Sequence, residues 1–234
     1  MISIEAVSHR YGDREVLADI DLSMAEDRIG VIGANGSGKS TLARLLNGLV
    51  VPSAGRVLVD GLDTARDGAG VRRKVAFVFS DPDAQIVMPT VGEDVAFSLR
   101  RHGLGKAETA QRVDEILVRF GLGDHADHPA HLLSSGQKQL LALASVLVTE
   151  PEILVCDEPT TLLDLRNSRQ VAELLAGLTQ QVVLVTHDLE LLRGWQRVLV
   201  VDEGRVVADG PAGASVAHYQ DLMAGRMAEN GRPC

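Results

Sequence analysis

The sequence has little cysteine and no long apolar run, and each absence argues against a class of protein. Only two cysteines are present, Cys156 in an apolar segment and Cys234 at the last position. Both are expected to be unpaired thiols in a reducing compartment. No apolar run approaches the ~20 residues that a membrane-spanning helix needs, and residues 1–5 lack the basic-then-apolar pattern of a secretion signal. We expect a cytoplasmic protein that reaches a membrane only through another protein.

An excess of positive charge is also missing. The chain has 23 lysines and arginines against 32 aspartates and glutamates, a formal net charge of −9. A nucleic-acid surface needs a basic stripe, so no nucleic-acid partner is expected. The basic runs at residues 72–74 and 100–101 are interpreted as solvated surface. Three histidines between residues 125 and 131 are interpreted as a surface loop, because Pro129 breaks any helix that would align them as metal ligands.

A glycine-rich segment at residues 33–40, with the sequence GANGSGKS, follows an apolar run and precedes leucines at helical spacing. This context of strand, loop and helix is typical of a phosphate-binding loop. Glycines let successive N–H groups point inward at an anion, and the helix N-terminus adds its positive end. Lys39 would reach the β- and γ-phosphates, and the Ser40 hydroxyl would bind Mg²⁺. The alternative is an ordinary glycine-rich turn, which the pair Lys39 and Ser40 disfavours.

Polar residues also end two later apolar runs. Residues 153–156 lead into Asp157 and Glu158, and residues 182–186 lead into His187. Ligands of open α/β sheets bind at the carboxyl ends of the strands. Asp157 would hold Mg²⁺ through water, Glu158 would polarise an attacking water, and His187 could contact the γ-phosphate or that water. Taken alone, the acidic pair could begin a helix and His187 could be structural; the order of the elements favours catalysis.

In this order, the segments resemble the nucleotide-binding domain of ATP-binding cassette (ABC) proteins, over about residues 2–210. Tyr11 resembles the aromatic residue that stacks on adenine. Residues 133–137, LSSGQ, resemble the family signature, which contacts the γ-phosphate held by the partner subunit. Asp164 lies in a segment similar to the loop that crosses the dimer interface, and His187 resembles the switch histidine.

The resemblance implies ATP and Mg²⁺ as ligands and a head-to-tail homodimer with composite ATP sites. The residues expected on the chain's own nucleotide are Tyr11, Asn35, Gly36, Ser37, Gly38, Lys39, Ser40 and Thr41. Those expected on the partner's ATP are Ser134, Gly136 and Gln137. Ser40 and Asp157 are the expected Mg²⁺ ligands, and Glu158, His187 and Lys39 the expected catalytic residues.

The fold class follows from the alternation of helical and apolar strand patterns. It predicts one α/β domain over residues 1–222, with a mainly parallel sheet and an antiparallel edge sheet from the first sixty residues. A helical insertion at about residues 90–150 holds the signature. Within it, Thr90 followed by Glu93 predicts a capped helix start. Residues 223–234 are polar and lack periodicity, so we expect a flexible tail.

Two positions depart from the pattern of the family. Ser80 stands where the family has the glutamine that reaches Mg²⁺ and senses the membrane partner, so it can act at best through water. Ser135 stands where glycine is usual in the signature, and its added bulk affects how tightly the dimer closes. Water or a neighbour of Ser80, Gln85 or Asp81, is expected to provide the link between Mg²⁺ and the membrane partner instead. Gln85 also lies where a partner helix is received in the subfamily described next.

The segments at residues 81–97 and 158–164 resemble the ATPases of energy-coupling factor (ECF) importers, which take up vitamins or cobalt and nickel ions. The whole chain resembles the ATPase of biotin importers most, with the cobalt and nickel subunits second. The resemblance implies two membrane partners, an integral coupling protein and a substrate-binding subunit, and a peripheral location on the cytoplasmic face of the cell membrane.

Two alternative functions are weighed against this one. Soluble ABC ATPases act in translation or DNA repair, but their paired cassettes or long coiled coils do not fit in 234 residues. A regulatory subunit that hydrolyses ATP weakly is suggested by Ser80 and Ser135, whereas Glu158 and His187 argue for an active ATPase.

Overall fold

The computed structural model describes residues 1–230, which form ten strands, seven α-helices and five short 3₁₀ helices. The strands are β1 (Ile2–Tyr11), β2 (Arg14–Met24), β3 (Arg28–Ile32), β4 (Ala54–Val59), β5 (Leu62–Asp63), β6 (Val75–Val78), β7 (Ile153–Asp157), β8 (Gln181–Val185), β9 (Arg197–Asp202) and β10 (Arg205–Gly210). The helices are α1 (Lys39–Leu46), α2 (Gly68–Lys74), α3 (Val91–Ser98), α4 (Lys106–Arg119), α5 (Ser135–Leu147), α6 (Leu165–Ala176) and α7 (Ala212–Asn230). Cys234, predicted to be an unpaired thiol, lies outside the described residues.

The chain divides into two compact units. The first contains residues 1–72 and the chain from residue 181 onward, and the second contains residues 73–180. The chain passes from the first unit to the second within helix α2. The predicted boundaries of a single domain and of its helical insertion are not tested by this division and stay predictions.

The first unit holds an antiparallel sheet with the strand order β2-β1-β4-β5. Ile2, Ile4 and Val7 on β1 are buried, while the residues between them are more exposed. Such alternation is expected of a sheet with one face on the core and the other toward solvent. The predicted antiparallel edge sheet in the first sixty residues is therefore confirmed.

The first unit also contains a parallel arrangement in which β3 lies between β8 and β9, with β10 antiparallel to β9. Residues 29–32 of β3 are all buried, as expected for a parallel strand with both faces covered. In the second unit, β6 and β7 also pair in parallel. The predicted class, α/β with mainly parallel pairing in the central strands, is confirmed.

Along the chain, helices α3, α4 and α5 of the second unit follow β6 and precede β7. The predicted cap at the start of α3 is present: the Thr90 hydroxyl accepts from the Glu93 N–H at 3.4 Å, and the Glu93 carboxylate accepts from the Thr90 N–H at 3.2 Å. Asp94, one residue on, is buried and accepts a 2.9 Å bond from the Ser145 hydroxyl on α5. This bond fixes α3 to the helix that follows the signature.

The end of the described chain is helical and forms an ion pair. Helix α7 continues to Asn230, and Arg226 on it donates to both carboxylate oxygens of Asp202, at 2.9 and 2.6 Å. The sequence missed this because the polar residues of 223–230 show no apolar period, whereas the ion pair is made with a residue 24 positions away. Flexibility of the segment stays a prediction.

Candidate functional site

The glycine-rich loop joins β3 to α1, as predicted from its sequence context. Gly38 precedes the helix with φ 108°, in the left-handed region, and provides no side-chain cap. A Cβ atom at this position would lie 2.7 Å from the Val16 carbonyl oxygen, so glycine is required. Because the N-terminus of a helix carries its positive dipole end, the start of α1 is the kind of position that favours an anion.

Lys39 lies inside the curl of this loop. Its Nζ donates to the carbonyl oxygens of Gly33 and Ala34, both at 2.9 Å, and the side chain is buried. The hydroxyl of Ser37 is also buried and has no hydrogen-bond partner. A buried polar atom without a partner is costly. The loop therefore combines a buried cation with an unsatisfied hydroxyl, which fits an oxygen-rich anion such as a phosphate.

A cavity of about 250 Å³ opens at this loop. Tyr11 at its mouth is half exposed, and its ring meets the His9 ring edge-on at 4.6 Å. The cavity is large enough for part of a nucleotide, and an accessible aromatic face can stack on a base. Its lining residues are Tyr11, Arg14, Val16, Gly36, Gly38, Lys39, Ser40 and Thr41.

Six of the eight predicted nucleotide contacts line this cavity; Asn35 and Ser37 belong to the same loop but not to the lining. Sequence reasoning missed Arg14 and Val16. Arg14 is paired directly with Tyr11 across the hairpin of β1 and β2. The two-residue turn between them was visible in the sequence and could have placed Arg14 opposite Tyr11.

His187 follows β8, which lies beside β3 in the first unit. The two strands are parallel and in register, with Val31 opposite Val185, and the Thr186 N–H donates to the Val31 carbonyl. Since parallel strands end at the same sheet edge, His187 and the phosphate loop share that edge. The His187 side chain is exposed there.

Asp157 and Glu158 end β7 in the second unit. Asp157 is buried, and Glu158 has φ 52°, a left-handed conformation that is uncommon for a residue with a side chain. The Glu158 carboxylate accepts a 2.9 Å bond from the Thr161 hydroxyl. Strained backbone conformations cluster at functional sites, although five other non-glycine residues in the described part of the chain also have a positive φ. Burial raises the pKa of the neighbouring Cys156 thiol, and the charge of Asp157 adds to the rise, so the thiol stays protonated.

The signature segment forms the N-terminus of α5, and two of its own residues cap that helix. The Ser134 hydroxyl accepts from the Gln137 N–H at 3.3 Å, and the Gln137 Oε1 accepts from the Ser134 N–H at 3.0 Å. The Gln137 Nε2 also lies 3.2 Å from the Nε2 of His125. The side chain of Gln137, which the sequence assigned to a partner's ATP, is thus engaged within its own chain.

Gly136 brings the signature against helix α6. A Cβ atom at residue 136 would lie 2.6 Å from the Cγ of Asn167. The Asn167 N–H donates to the Asp164 carboxylate at 2.8 Å, which caps α6. The structure therefore places two predicted interface residues, Gly136 and Asp164, around one asparagine.

Gln85, assigned by the sequence to a membrane partner, has an internal role as well. Its Oε1 accepts from the Phe79 N–H at 3.2 Å, and its Nε2 donates to the Ala142 carbonyl at 3.0 Å. Gln85 thus fastens the segment that contains Ser80 to helix α5. Sequence reasoning missed this role because Ala142 lies 57 positions away.

Other features contain none of the predicted site residues. A cavity of about 790 Å³ lies between α3 and α4 in the second unit. Within residues 1–230, no cluster of three or more histidine, cysteine, aspartate or glutamate side chains is arranged to bind a metal ion. Over the same residues, no helix combines the length and the apolar character needed to cross a membrane.

Comparison with known proteins adds to this geometry. Residues 17–161 match the ABC transporter family. A Deinococcus radiodurans protein whose name places it among ABC transporter ATP-binding proteins is 55% identical, covering 95% of this chain and 99% of that protein. The biotin transport ATP-binding protein BioM of Rhizobium etli is 49% identical, with the same coverage of both chains. An energy-coupling factor transporter ATP-binding protein, EcfA1 of Halalkalibacterium halodurans, is 38% identical over 94% of this chain and 82% of its own length.

Solved structures share the fold. The cbiO1 protein of Clostridium perfringens, part of the ABC transporter complex cbiONQ, superposes with a TM-score of 0.82 at 33% identity, covering 97% of this chain and 94% of that one. A dimeric ATP-binding cassette in a post-hydrolysis state, bound to ADP and Pi, superposes with a TM-score of 0.79 at 28% identity, covering 91% and 99%.

Proposed function

We propose a transport role for this chain, which belongs to the ABC transporter family and is an ATPase of that family. In this proposal it is the ATP-hydrolysing subunit that energises an ECF-type importer, and the imported compound is biotin. One observation carries the proposal: the chain matches a biotin transport ATP-binding protein at 49% identity over 99% of that protein's length. The ECF relative at 38% identity supports the importer type.

The first unit supplies the nucleotide contacts in this proposal. ATP would occupy the cavity at the phosphate loop, with the Tyr11 ring against the base and the N–H groups at the start of α1 donating to phosphate oxygens. Lys39 would exchange its bonds to the loop carbonyls for bonds to the phosphates, and Ser37 would gain a partner. Asn35, Gly36, Gly38 and Thr41 would add backbone contacts. Ser40 is proposed as one Mg²⁺ ligand and Asp157 of the second unit as another, and the ion would neutralise phosphate charge.

Glu158 is proposed to polarise the attacking water, with His187 contacting the γ-phosphate side. A positioned general base contributes ~10²–10⁴-fold to a rate. We therefore expect Glu158→Gln to bind ATP with Mg²⁺ yet turn it over ~10²–10⁴-fold more slowly, as measured by phosphate release. Glu152→Gln removes a surface carboxylate on the same unit, paired with Lys74, and is the matched control. Near-normal turnover in Glu158→Gln would remove this residue from the mechanism.

The working unit is proposed to be a head-to-tail homodimer. The signature residues Ser134, Gly136 and Gln137 would face the ATP of the partner subunit, and Asp164 would lie at the interface. The chain contains both segments expected of such a site, and a cassette of the same fold has been solved as a dimer with ADP and Pi, which supports the proposal. A single gene product can therefore complete two equal sites.

The membrane side of the proposal involves an integral coupling protein and a substrate-binding membrane subunit. The ATPase would sit peripherally on the cytoplasmic face, with Ser80 and Gln85 near the coupling protein. The similar cbiO1 protein is itself part of a transporter complex, which supports an assembly of this kind.

Transport by the assembled complex tests the function. The chain is co-purified with its membrane partners, reconstituted in vesicles containing ATP and Mg²⁺, and supplied with labelled biotin. We expect biotin uptake that requires ATP and that the Glu158→Gln subunit abolishes. Uptake of cobalt or nickel ions in place of biotin would contradict the proposed substrate and leave the importer type intact. ATP hydrolysis without uptake of either would contradict the importer.

A further inference from the structure

A hairpin turn lies directly against the phosphate loop. Strands β9 and β10 are joined by Glu203 and Gly204, with φ 47° and 77°, the left-handed pair that a tight two-residue hairpin requires. The Gly204 N–H donates to the Ser37 carbonyl at 3.0 Å, and the Gly204 carbonyl accepts from the Ala18 N–H at 2.9 Å. The turn is thus bonded to both the phosphate loop and β2.

The hairpin turn and the phosphate loop are packed so closely that no side chain fits between them. A Cβ atom at Gly33 would lie 2.0 Å from the carbonyl oxygen of Val201 on β9, and one at Gly204 would lie 2.7 Å from that of Val16 on β2. Backbone therefore meets backbone on both sides of the turn. Val16 also lines the nucleotide cavity, so a shift of the hairpin would change both the loop and the cavity wall.

An arginine of the last helix holds this turn. Arg226 on α7 donates to Asp202 Oδ1 and Oδ2 at 2.9 and 2.6 Å and to Glu203 Oε1 at 3.1 Å. The Asp202 side chain is 10% exposed and that of Arg226 is 36% exposed, so solvent only partly screens the pair. A bidentate pair between guanidinium and carboxylate fixes geometry as well as charge.

We propose that Arg226 is a positioning residue for nucleotide binding: through Asp202 and Glu203 it holds the hairpin turn against the phosphate loop. Arg226 on α7 thereby helps to keep the Ser37 carbonyl and the phosphate loop in the conformation that binds nucleotide. The inference rests on the proposed function for its ligand, ATP. The hydrogen bond from Gly204 to Ser37 can be tested without nucleotide.

The test compares Arg226→Ala with Arg112→Ala in the full chain. Arg112 is matched in exposure, 33%, and in having two acidic neighbours, Glu108 and Glu150, but it lies on α4. We expect Arg226→Ala to weaken Mg-ATP binding about 3- to 10-fold, with a matching rise in KM and an unchanged kcat. Amide exchange of residues 33–41 in the nucleotide-free protein should accelerate in this variant and not in Arg112→Ala.

Arg226→Lys keeps the charge without the planar fork, so it should fall between the wild type and the alanine variant. Asp202→Asn removes the same pair from the other side and replaces Arg226→Ala if that protein does not fold. Unchanged exchange of residues 33–41 after loss of the pair would overturn the proposal, as would equal effects of Arg112→Ala. Failure of the wild type to bind ATP would instead overturn the proposed function, with the exchange result still deciding the role of Arg226.

Discussion

Two segments of this chain, the glycine-rich loop and the signature, lead into helices, and the two helix starts are capped differently. Helix α1 begins after Gly38, which offers no side chain to cap the first turn. Helix α5 begins after Ser134, whose hydroxyl caps the helix while the Gln137 Oε1 accepts from the Ser134 N–H. Both ends carry the positive pole of a helix dipole. The first has no side-chain cap, whereas the second has a complete capping box.

The difference leads us to expect that the two segments would approach phosphate in different ways. In the proposed dimer, the open end of α1 would hold the nucleotide of its own chain. The end of α5 would approach the γ-phosphate of the partner with its cap already formed, so that it presents a fixed dipole end and a fixed serine. The comparison predicts that damage at α1 abolishes binding, whereas damage at α5 spares binding and slows turnover.

The largest effect on ATP turnover is expected when the start of α1 is damaged in one subunit and the start of α5 in the other. Lys39→Ala removes the cation from the open end, and Ser134→Arg obstructs the capped end, so each variant alone should hydrolyse ATP at background rate. Mixed together, they should recover part of the activity, because one of the two composite sites in a mixed dimer is undamaged. ATP turnover as a function of mixing ratio measures this. No recovery at any ratio would contradict a homodimer with two independent sites.

Replacing one glycine in each of the two segments is expected to give the next largest difference in stability and ATP binding. A Cβ at Gly33 would meet a backbone oxygen at 2.0 Å, whereas one at Gly136 would meet the side chain of Asn167, which can move. We expect Gly33→Ala to cost about 2 kcal/mol or more in stability and to lose ATP binding. Gly136→Ala should stay within about 1 kcal/mol, because alanine favours a helix, and should keep the affinity of the monomer. Urea unfolding and nucleotide titration check both; equal losses would refute the distinction.

Removing the cap of α5 should have a smaller effect on stability. Ser134→Ala is expected to cost ~1 kcal/mol, the usual value for an N-cap, and to lower turnover of the dimer. Thr90→Ala is the matched control, because Thr90 and Glu93 form the same capping box at α3. Both variants should unfold at similarly reduced denaturant concentrations, while only Ser134→Ala slows phosphate release. A similar loss of turnover in Thr90→Ala would mean that the effect is one of folding alone.

The smallest effect on ATP turnover is expected at Ser80, which belongs to neither helix start and serves as the reference for the other substitutions. Ser80→Ala should change the free energy of activation by less than about 1 kcal/mol, as for one hydrogen bond in competition with water. Gln85→Ala loses two internal bonds and should destabilise the chain by about 1–3 kcal/mol, besides weakening assembly with a membrane partner. A collapse of turnover in Ser80→Ala would show that the serine binds the metal directly.

Much of this architecture could be predicted because the signals are short. The glycine-rich loop was placed between a strand and a helix from its immediate neighbours, and the structure places Lys39 as the first residue of α1. The capping box of Thr90 and Glu93 spans three positions and is present as predicted. Motifs of this length are governed by local sterics and by the period of one element, which the sequence states directly.

What the sequence by itself determined is the class of the fold and the place of the glycine-rich loop between a strand and a helix. Tertiary structure alone decided that Gln85 binds the Ala142 carbonyl, that Gly204 supports Ser37 and that Arg226 reaches Asp202. These contacts join residues that lie far apart in the chain, and their existence depends on how several loops bring separate elements into register. No local period or propensity encodes that register, because it is set by the packing of the whole unit.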